Sequence, residues 1–384
     1  MESEVLNCTG IDKPVRIAHV VGKLNAAGVE SVINNYYRNI DHTKYQFDYY
    51  IEEDSNCKPP QELIKMGARY FVTPPSQDFV KYTACLENHF KEENYKIVHS
   101  SMNTLSIFSL YAAWKAGVPI RINHNHSTAG KGEIKRNIFK YLLRPFAKCF
   151  ATDYLACSKY AGEWLFGKKS LRQGQVRVFN NAIDIERYRY NPNIRKRVRK
   201  ELGLDNKFVV GHVGRFCYQK NHEFLIDIFE DIHKRESNSK LLLIGIGELL
   251  DVIKAKIHRK GLDDAVILLG ARSDVNELYQ AMDVFVLPSY YEGLGMAAIE
   301  SQSAGLPTIC SGKVPQEASV SNCVFFLDLG DSVEIWSAKI LSFKDFSRKD
   351  TSKQVRSAGF DIKIEAQKLE NLYDKKMNTG GGTA

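Results

Sequence analysis

The sequence lacks the features that mark several classes of protein. No apolar run is long enough to cross a bilayer, and the first residues, MESEVLNCTGIDKPVR, contain no signal-peptide core. The eight cysteines are scattered and form no C-x-x-C pair, so neither a disulfide framework nor a zinc site is predicted. These absences favour a cytoplasmic protein that folds around its own apolar core.

A dinucleotide fingerprint is also missing, because no glycine spacing matches G-x-G-x-x-G. A dehydrogenase is therefore disfavoured. The net charge of +8 is mild for 384 residues and is accompanied by no RNA- or DNA-binding signature, so nucleic acid is the least favoured partner. A phosphate-bearing ligand or an anionic membrane surface would also account for this charge.

The chain does contain short apolar strands that alternate with helices, which predicts parallel, doubly wound sheets. The alternation restarts after a charged, turn-rich run, and this predicts two α/β domains, 14–182 and 183–350. A flexible leader (1–13), a helix over 351–377 and a disordered tail (378–384) complete the prediction. The predicted strands are 15–21, 47–51, 69–72, 97–100, 120–125, 153–157, 176–179, 208–213, 241–247 with its glycine turn, 266–270, 284–287, 308–310 and 324–327.

One segment, DVFVLPSYYEGLGMAAIESQSAGLP, concentrates polar groups between a buried strand (284–287) and a helix (296–303). Glu292 stands directly before Gly293-Leu294-Gly295, and Glu300 follows after seven intervening residues. The glycine amides can approach phosphate or sugar oxygens, whereas ionised carboxylates accept hydrogen bonds from hydroxyl groups. A ligand with both phosphates and hydroxyls is a sugar nucleotide. The alternative is a helix cap and a glutamate on a solvated face.

Two cations follow an earlier strand. Residues 208–213 lead into Gly214-Arg215, and Lys220 comes five residues after the arginine, at the start of a helix. Arginine can bind two phosphate oxygens at once and lysine supplies a mobile point charge, so the pair predicts a phosphate site. Two such cations are often only solvated, but together with Glu292 and Glu300 the phosphate site is favoured.

These motifs resemble those of a known family. The two glutamates, preceded by Pro288-Ser289 and followed by Ala304-Gly305-Leu306-Pro307, resemble the donor-site signature of the family 4 retaining glycosyltransferases. The overall likeness is greatest to bacterial group 1 transferases of exopolysaccharide and capsule synthesis, and it covers nearly all of residues 15–375. The resemblance implies the GT-B fold, in which two Rossmann-like doubly wound parallel-sheet domains face a cleft and the C-terminal helix crosses back to the first domain.

The resemblance also assigns roles to the donor residues. Arg215 and Lys220 would neutralise the leaving diphosphate in place of a metal ion, Glu292 would hold the donor sugar, and Glu300 would bind the ribose. The implied catalytic residues are His126, Arg215, Lys220 and Glu292, with no metal; the implied donor-binding residues also include Gly28, Gly214, Arg272, Gly293, Leu294, Gly295 and Glu300.

Three of these roles come from the resemblance alone. The strand 120–125 runs into Asn-His-Ser, where relatives supply a histidine; His126 fits that position best, and His124 on the same side of the strand stays an alternative. Gly28 lies in a turn that approaches phosphate in relatives, and the backbone at Arg272 borders the base. The nearby Asp274 and Glu277 predict a capping box for the next helix.

The segment EIKRNIFKYLLRPFAKCF interleaves cations with apolar residues, and Pro145 interrupts it. Such a segment suits an anionic membrane surface, which would mean peripheral association at the cytoplasmic membrane, where a lipid-linked acceptor is found. The alternative, an amphipathic helix that covers the sheet, is somewhat favoured.

We therefore predict a retaining, metal-independent glycosyltransferase without a cofactor. It would move a hexose or N-acetylhexosamine from a nucleotide-diphosphate sugar, with a UDP-sugar favoured, to an acceptor hydroxyl of a lipid-linked glycan in exopolysaccharide or capsule synthesis. Departures from the family pattern at Ala27, Asn180 and Ala182 keep one alternative open, a non-catalytic sugar-nucleotide-binding subunit. An epimerase or phosphorylase of the same fold is a second alternative, against which the Arg-Lys pair and the two glutamates argue.

Overall fold

The computed structural model of the protein describes residues 13–24, 28–126 and 134–379, with the backbone alone for 134–137. The described residues divide into two compact units. The first comprises 13–24, 28–126, 134–180 and 363–379, and the second comprises 181–362. None of the described helices is both long and apolar enough to span a bilayer.

The first unit contains one parallel sheet of seven strands. Its elements, with the helices that connect the strands, are β1 (Val15–Gly22), α1 (Gly28–Asn39), β2 (Tyr45–Glu52), α2 (Gln61–Lys65), β3 (Arg69–Thr73), α3 (Phe79–Glu92), β4 (Ile97–Ser100), α4 (Ser106–Lys115), β5 (Ile120–Asn125), α5 (Ile134–Leu143), β6 (Asp153–Ala156), α6 (Lys159–Phe166), α7 (Lys168–Arg172) and β7 (Val176–Val178). The strand order is β3-β2-β1-β4-β5-β6-β7.

This order fixes where the helices lie. From β3 to β4, and then through β5, β6 and β7, the chain steps in one direction across the sheet. Because parallel crossovers are right-handed, the connecting helices α3 to α6 lie on the same face. The order reverses between β1 and β4, so polar residues at the carboxyl ends of these strands occupy a switch point.

The second unit contains a parallel sheet of six strands. Its elements are α8 (Ile185–Tyr188), α9 (Pro192–Glu201), β8 (Phe208–Val213), α10 (His222–Arg235), β9 (Ser239–Ile244), α11 (Leu250–Arg259), β10 (Val266–Leu268), α12 (Val275–Ala281), β11 (Val284–Leu287), α13 (Met296–Ser303), β12 (Thr308–Ser311), β13 (Val324–Leu327), α14 (Val333–Leu341) and α15 (Ser352–Ser357). The strand order is β10-β9-β8-β11-β12-β13, with β8 and β11 adjacent at the centre.

The predicted pair of parallel α/β sheets is confirmed, and every predicted strand is present. In the segment predicted as a strand with a glycine turn, 241–247, β9 ends at Ile244 and the turn begins at Gly245. Gly245 has φ +141, and a Cβ atom there would lie 2.0 Å from the Gly214 carbonyl oxygen. The close approach of these two loops therefore ends the strand and requires glycine.

The prediction of one helix over 351–377 is wrong. α15 ends at Ser357, and Gly359, with φ +87, interrupts the helical conformation before α16 (Ile362–Asn378) begins. In between, Asp361 forms a parallel bridge with Ile183. Residues 363–379 belong to the first unit. The predicted leader lies outside the described residues except for Lys13, and so does the predicted tail except for its first two residues, of which Asn378 is helical.

The predicted capping box at the start of α12 is also wrong. Asp274 is the N-cap residue, but its side chain makes no capping hydrogen bond. Its carboxylate accepts instead from the guanidinium of Arg272, and the carboxylate of Glu277 pairs with Arg197 on α9. A charged partner within reach therefore outcompetes the backbone N–H for each carboxylate.

Candidate functional site

The predicted donor residues gather at the switch point of the second sheet. Because β8 and β11 are adjacent and parallel, the loops that follow their carboxyl ends lie side by side. One loop carries Gly214 to Lys220 and the other carries Ser289 to Gly295. This is the place where ligands bind in open α/β sheets.

Lys220 and Glu292 form the centre of this site. The Lys220 Nζ lies 2.7 Å from Glu292 Oε1, and the two side chains are only 16% and 6% exposed. Ser289 Oγ donates to the same carboxylate oxygen at 2.6 Å, and Gln219 Nε2 donates to Glu292 Oε2 at 3.2 Å. The carboxylate is thus held by three side chains that can also bind an incoming ligand.

The two loops are tied together by contacts around this ion pair. The backbone N–H of Tyr290 donates to the Gln219 carbonyl at 2.8 Å, and the rings of Tyr218 and Tyr290 stack at 4.6 Å. Asn221, in the left-handed region at φ 55, donates from Nδ2 to the Pro288 carbonyl. These contacts fix where Lys220 enters the site.

Gly214 leaves room for the lysine. A Cβ atom at this position would lie 2.9 Å from His212 Nε2 and 3.1 Å from Lys220 Cδ. The aliphatic stem of Lys220 therefore passes directly over the glycine, and any larger residue would push the ammonium group away from Glu292.

Arg215 has a different environment from Lys220. Its side chain is 69% exposed and its guanidinium pairs with Glu248 at 3.0 Å, on the loop that follows β9. The structure thus pairs Lys220 with Glu292 and gives Arg215 a separate, solvent-exposed partner.

Glu300 lies on α13 and is half-buried. Its Oε2 accepts a hydrogen bond from Tyr279 Oη at 3.0 Å, and Tyr188 also donates to it. Burial disfavours the ionised form and raises the pKa of Glu300 to about 7, although both tyrosine hydrogen bonds act in the opposite direction. Glu300 therefore changes its ionisation state near neutral pH.

The glycine loop between these glutamates has three distinct positions. Gly293 is exposed, and a Cβ atom there would meet nothing within 4 Å. Leu294 is buried in the core of the unit, so its side chain does not face a ligand. Gly295 has φ +90 and precedes α13, which leaves the first N–H groups of that helix at the carboxyl end of β11.

Sequence reasoning missed several residues that hold this site. Ser289 and Gln219 bind Glu292, Tyr188 and Tyr279 bind Glu300, and Glu248 pairs with Arg215. Ser289 could have been suspected, because it lies three residues before Glu292. The others approach from distant parts of the chain.

The remaining predicted residues lie outside this cluster. Arg272 is partly exposed and bound to Asp274. In the first unit, Gly28 is the first residue of α1 and is exposed, whereas His124 and His126 at the end of β5 are buried with their ring centroids 4.0 Å apart. Ala27 lies outside the described residues.

The first unit also has an exposed apolar surface, which lies on α5 and the turn that follows it. α5 is followed by a 3₁₀ turn at Arg144–Phe146, which contains Pro145, and none of the described side chains of Ile138 to Leu143 is buried. Four of these six side chains are exposed, and those of Lys140 and Leu143 are half-buried. We call the exposed apolar residues of this segment the α5 face; they are Ile138, Phe139, Tyr141, Leu142 and Phe146.

Further apolar surface lies on the same side of the sheet. A groove of about 480 Å³ runs between α3 and α4, with Phe79, Val80, Phe108, Tyr111 and Phe150 among its lining residues. Phe79 and Val80 are exposed, as is Trp114 at the end of α4. The crossover rule places both helices on the side of the sheet that carries α5.

Two family models match the chain. "Glycosyl transferases group 1" matches residues 194–344 and "Glycosyltransferase Family 4" matches residues 26–187. The chain is 29% identical over 372 residues to the putative glycosyltransferase EpsF of Bacillus subtilis, covering 94% of this chain and 96% of EpsF. It is 28% identical to an Escherichia coli enzyme, the UDP-Gal:alpha-D-GlcNAc-diphosphoundecaprenol alpha-1,3-galactosyltransferase, over 94% of this chain and 96% of that enzyme.

The fold also matches solved structures. Anabaena HepE in complex with UDP and glucose superposes with a TM-score of 0.77 at 20% identity, covering 94% of this chain and 99% of HepE. WaaG, a glycosyltransferase involved in lipopolysaccharide biosynthesis, superposes with a TM-score of 0.72 at 15% identity, over 93% of this chain and 99% of WaaG.

Proposed function

We propose a reaction for this chain, which belongs to the group 1 and family 4 glycosyltransferases. It is a GT-B enzyme related to those of capsule and exopolysaccharide synthesis. It transfers a hexose or N-acetylhexosamine from a nucleotide-diphosphate sugar to an acceptor hydroxyl, with retention of configuration and without a metal ion. The observation that carries this proposal is the Lys220–Glu292 pair at the switch point.

The proposed chemistry uses both members of the pair. As the bond between the anomeric carbon and the phosphate oxygen breaks, its electron pair leaves with the diphosphate, and Lys220 and Arg215 stabilise the new charge. Glu292, released from Lys220, accepts hydrogen bonds from sugar hydroxyls. The acceptor oxygen attacks from the face that the diphosphate leaves, and its proton passes to a phosphate oxygen.

Glu300 and the glycine loop complete the proposed donor site. A half-buried carboxylate that is hydrogen-bonded to two tyrosines suits the two hydroxyls of a ribose, which donate to its ionised form. The N–H groups at the start of α13 suit an anion. The roles predicted for Gly28, His126 and Arg272 stay part of this proposal.

A UDP-sugar is the proposed donor. Support comes from the E. coli relative, whose name specifies UDP-galactose, and from HepE, which has been solved with UDP, with UDP and glucose, and with UDP-glucose. The same E. coli enzyme acts on a diphosphoundecaprenol-linked sugar. We therefore propose a lipid-linked acceptor for this chain.

The α5 face supports peripheral binding to a membrane that holds such an acceptor. Its apolar side chains are exposed beside Arg144 and Lys148, a combination that suits an anionic lipid surface. The Arg144 guanidinium lies 5.6 Å from the Trp164 ring centroid. The α3–α4 groove adds apolar surface on the same side of the sheet.

The donor site is tested by thermal stabilisation with UDP-, GDP- and ADP-sugars in the presence of EDTA. We expect a UDP-sugar to raise the melting temperature, since a ligand at about 100 times its Kd adds ~2.7 kcal/mol to the free energy of unfolding. Lys220→Ala and Glu300→Ala should lose this shift. Lys260→Ala, which removes a lysine paired with Asp227 and Glu230, is the matched control and should keep it.

Stereochemistry is read from the anomeric coupling constant of the transferred sugar. An α-linked product from an α-linked donor supports retention, and a β-linked product contradicts it. Absence of a shift with every nucleotide sugar, or an undiminished shift in Lys220→Ala, would show that the donor site has been assigned to the wrong residues.

A further inference from the structure

Four buried histidines form a row across the sheet of the first unit. His19 lies on β1, His99 on the adjacent β4 and His124 on β5, and His126 follows β5 directly. The ring centroids are 4.4 Å apart for His19 and His99, 5.2 Å for His99 and His124, and 4.0 Å for His124 and His126. All four side chains are buried.

Hydrogen bonds connect this row to the C-terminal helix. The Tyr373 hydroxyl on α16 lies 2.8 Å from His99 Nδ1, and His99 Nε2 lies 3.1 Å from His124 Nδ1. Burial lowers the pKa of both histidines well below the usual value, so both rings are neutral at pH 7. The described His, Cys, Asp and Glu residues include no cluster suited to a metal ion, so the row is not a metal site built from them.

Neutral rings restrict where the protons lie. Between His99 Nε2 and His124 Nδ1 only one nitrogen carries a proton, because one must donate and the other accept. The tautomer of His124 therefore depends on that of His99, which depends on whether Tyr373 donates or accepts.

The two possible proton arrangements differ in how many buried polar groups they leave without a hydrogen-bond partner. Within the part of the chain that is described, the Tyr373 hydroxyl makes no hydrogen bond other than that to His99. If it accepted, its own proton would be buried without an acceptor, at a cost of about 1–3 kcal/mol. The His124 Nε2 lone pair would be unpaired as well, because that buried nitrogen has no hydrogen-bond partner among the described residues. If Tyr373 donates to His99 Nδ1 instead, His99 Nε2 donates to His124 Nδ1 and His124 carries its proton on Nε2. This arrangement leaves only the His124 Nε2–H unpaired.

We propose that Tyr373, His99 and His124 are positioning residues for His126. The hydrogen bonds fix the plane and tautomer of His124, and the His126 ring packs against that plane at 4.0 Å. This inference rests on the proposed contact between His126 and the donor sugar. A reacting group must be held within a fraction of an ångström. A residue that acts on His126 only through two other side chains, as Tyr373 does, therefore affects turnover more than donor affinity.

The test removes one hydroxyl group. Tyr373→Phe keeps the ring, and Tyr45→Phe is the matched control because its hydroxyl binds Asp374 on the same helix at 2.5 Å. Long-range ¹H–¹⁵N spectra of histidine-labelled protein report the tautomers of His99 and His124. Transfer kinetics and donor Kd are measured on the same variants.

We expect Tyr373→Phe to change the tautomers of His99 and His124, to lower kcat about five- to tenfold and to leave donor Kd within about twofold. Tyr45→Phe should change neither kcat nor the tautomers. Unchanged tautomers in Tyr373→Phe, unchanged kcat, or an equal loss of kcat in Tyr45→Phe would overturn the proposal.

A second pair of variants keeps the test valid should Tyr373→Phe fold poorly. His99→Gln retains a side-chain donor for His124 Nδ1, whereas His99→Leu removes it. We expect His99→Gln to keep most of the kcat that His99→Leu loses, and equal losses would contradict a positioning role. Full activity in His126→Ala would instead reject the proposed contact of His126 with the sugar, whatever the spectra show.

Discussion

Lys220 and Arg215 both follow β8, yet they contribute to the site in different ways. The Lys220–Glu292 pair is largely buried, whereas the Arg215–Glu248 pair is exposed to water. Breaking a buried pair leaves an uncompensated charge, but an exposed pair contributes little because water screens it. In the proposed donor complex both cations exchange a carboxylate for phosphate oxygens, and we expect this exchange to cost more at the buried pair.

A double-mutant cycle measures this difference. We expect Lys220→Met to lower the free energy of unfolding by about 2–4 kcal/mol, and Glu292→Gln to recover part of that loss in the double variant. The coupling energy from urea unfolding should be about 2 kcal/mol. The control cycle, Arg215→Met with Glu248→Gln, should give about 0.5 kcal/mol or less. Equal coupling in the two cycles would contradict the burial of the Lys220 pair.

We expect Glu300, the proposed ribose-binding residue, to make donor affinity dependent on pH. Only its ionised form accepts hydrogen bonds from both ribose hydroxyls, and its pKa is about 7. We expect donor Kd to rise about tenfold from pH 8 to pH 6 as the carboxyl group is protonated. The free energy of unfolding depends on pH in the opposite direction to donor affinity. Because the pKa is raised on folding, this stabilisation is present at low pH and is lost as pH rises through about 7.

Two variants test this assignment by calorimetric titration of the donor. Glu300→Gln should bind weakly with no dependence on pH between 6 and 8. Tyr279→Phe removes a hydrogen bond that lowers the pKa, so the midpoint should move to higher pH. A pH profile that persists in Glu300→Gln would assign the titration to another group.

At this scale the sequence predicted residue types better than partners. Glu292, Lys220 and Glu300 could be selected because their combined spacing resembles the donor-site signature of a known family, although each of them alone would also suit a solvated surface. Their pairing could not be predicted, because Gln219 and Glu292 are 73 positions apart and His99 and Tyr373 are 274 apart. Such contacts depend on how the strands are ordered.

At the scale of elements, the turn after β9 is a sensitive point. Gly245 combines φ +141 with a close approach to the backbone of Gly214. We expect Gly245→Ala to lower the free energy of unfolding by about 2–4 kcal/mol, because both the backbone and the contact are strained. Gly293→Ala, where a Cβ atom has open space, should change it by less than ~1 kcal/mol. Urea unfolding of both variants distinguishes the local strain at position 245 from the effect that any glycine-to-alanine substitution has on stability.

Strands were predicted well because both faces of a parallel sheet are buried, which produces short apolar runs between turns. β4, β5, β8, β11 and β13 have the predicted bounds. Helix ends were harder to predict, because the Asp274 carboxylate could accept a hydrogen bond from either a backbone N–H or Arg272, and it accepts from Arg272. The break at Gly359 was missed because the apolar spacing continues through it.

At the scale of the whole molecule, the α5 face predicts binding to vesicles. We expect co-sedimentation with vesicles rich in anionic lipid, weaker at high salt, and little with neutral vesicles. Phe139→Ser with Leu142→Ser should abolish it. Ile335→Ser, on α14 of the second unit, is the control because Ile335 is as exposed as Phe139. Equal loss in this control, or full binding by the double variant, would remove the α5 face from the proposal.

The first unit also depends on the last helix of the chain. Glu370, Asp374 and Lys376 of α16 bind Asp41, Tyr45 and Asp153, and Tyr373 is fully buried beside His99. During synthesis, residues up to 180 leave the ribosome while these partners are still to be made. The nascent first unit must therefore wait, with part of its sheet uncovered, until translation of the second unit is complete.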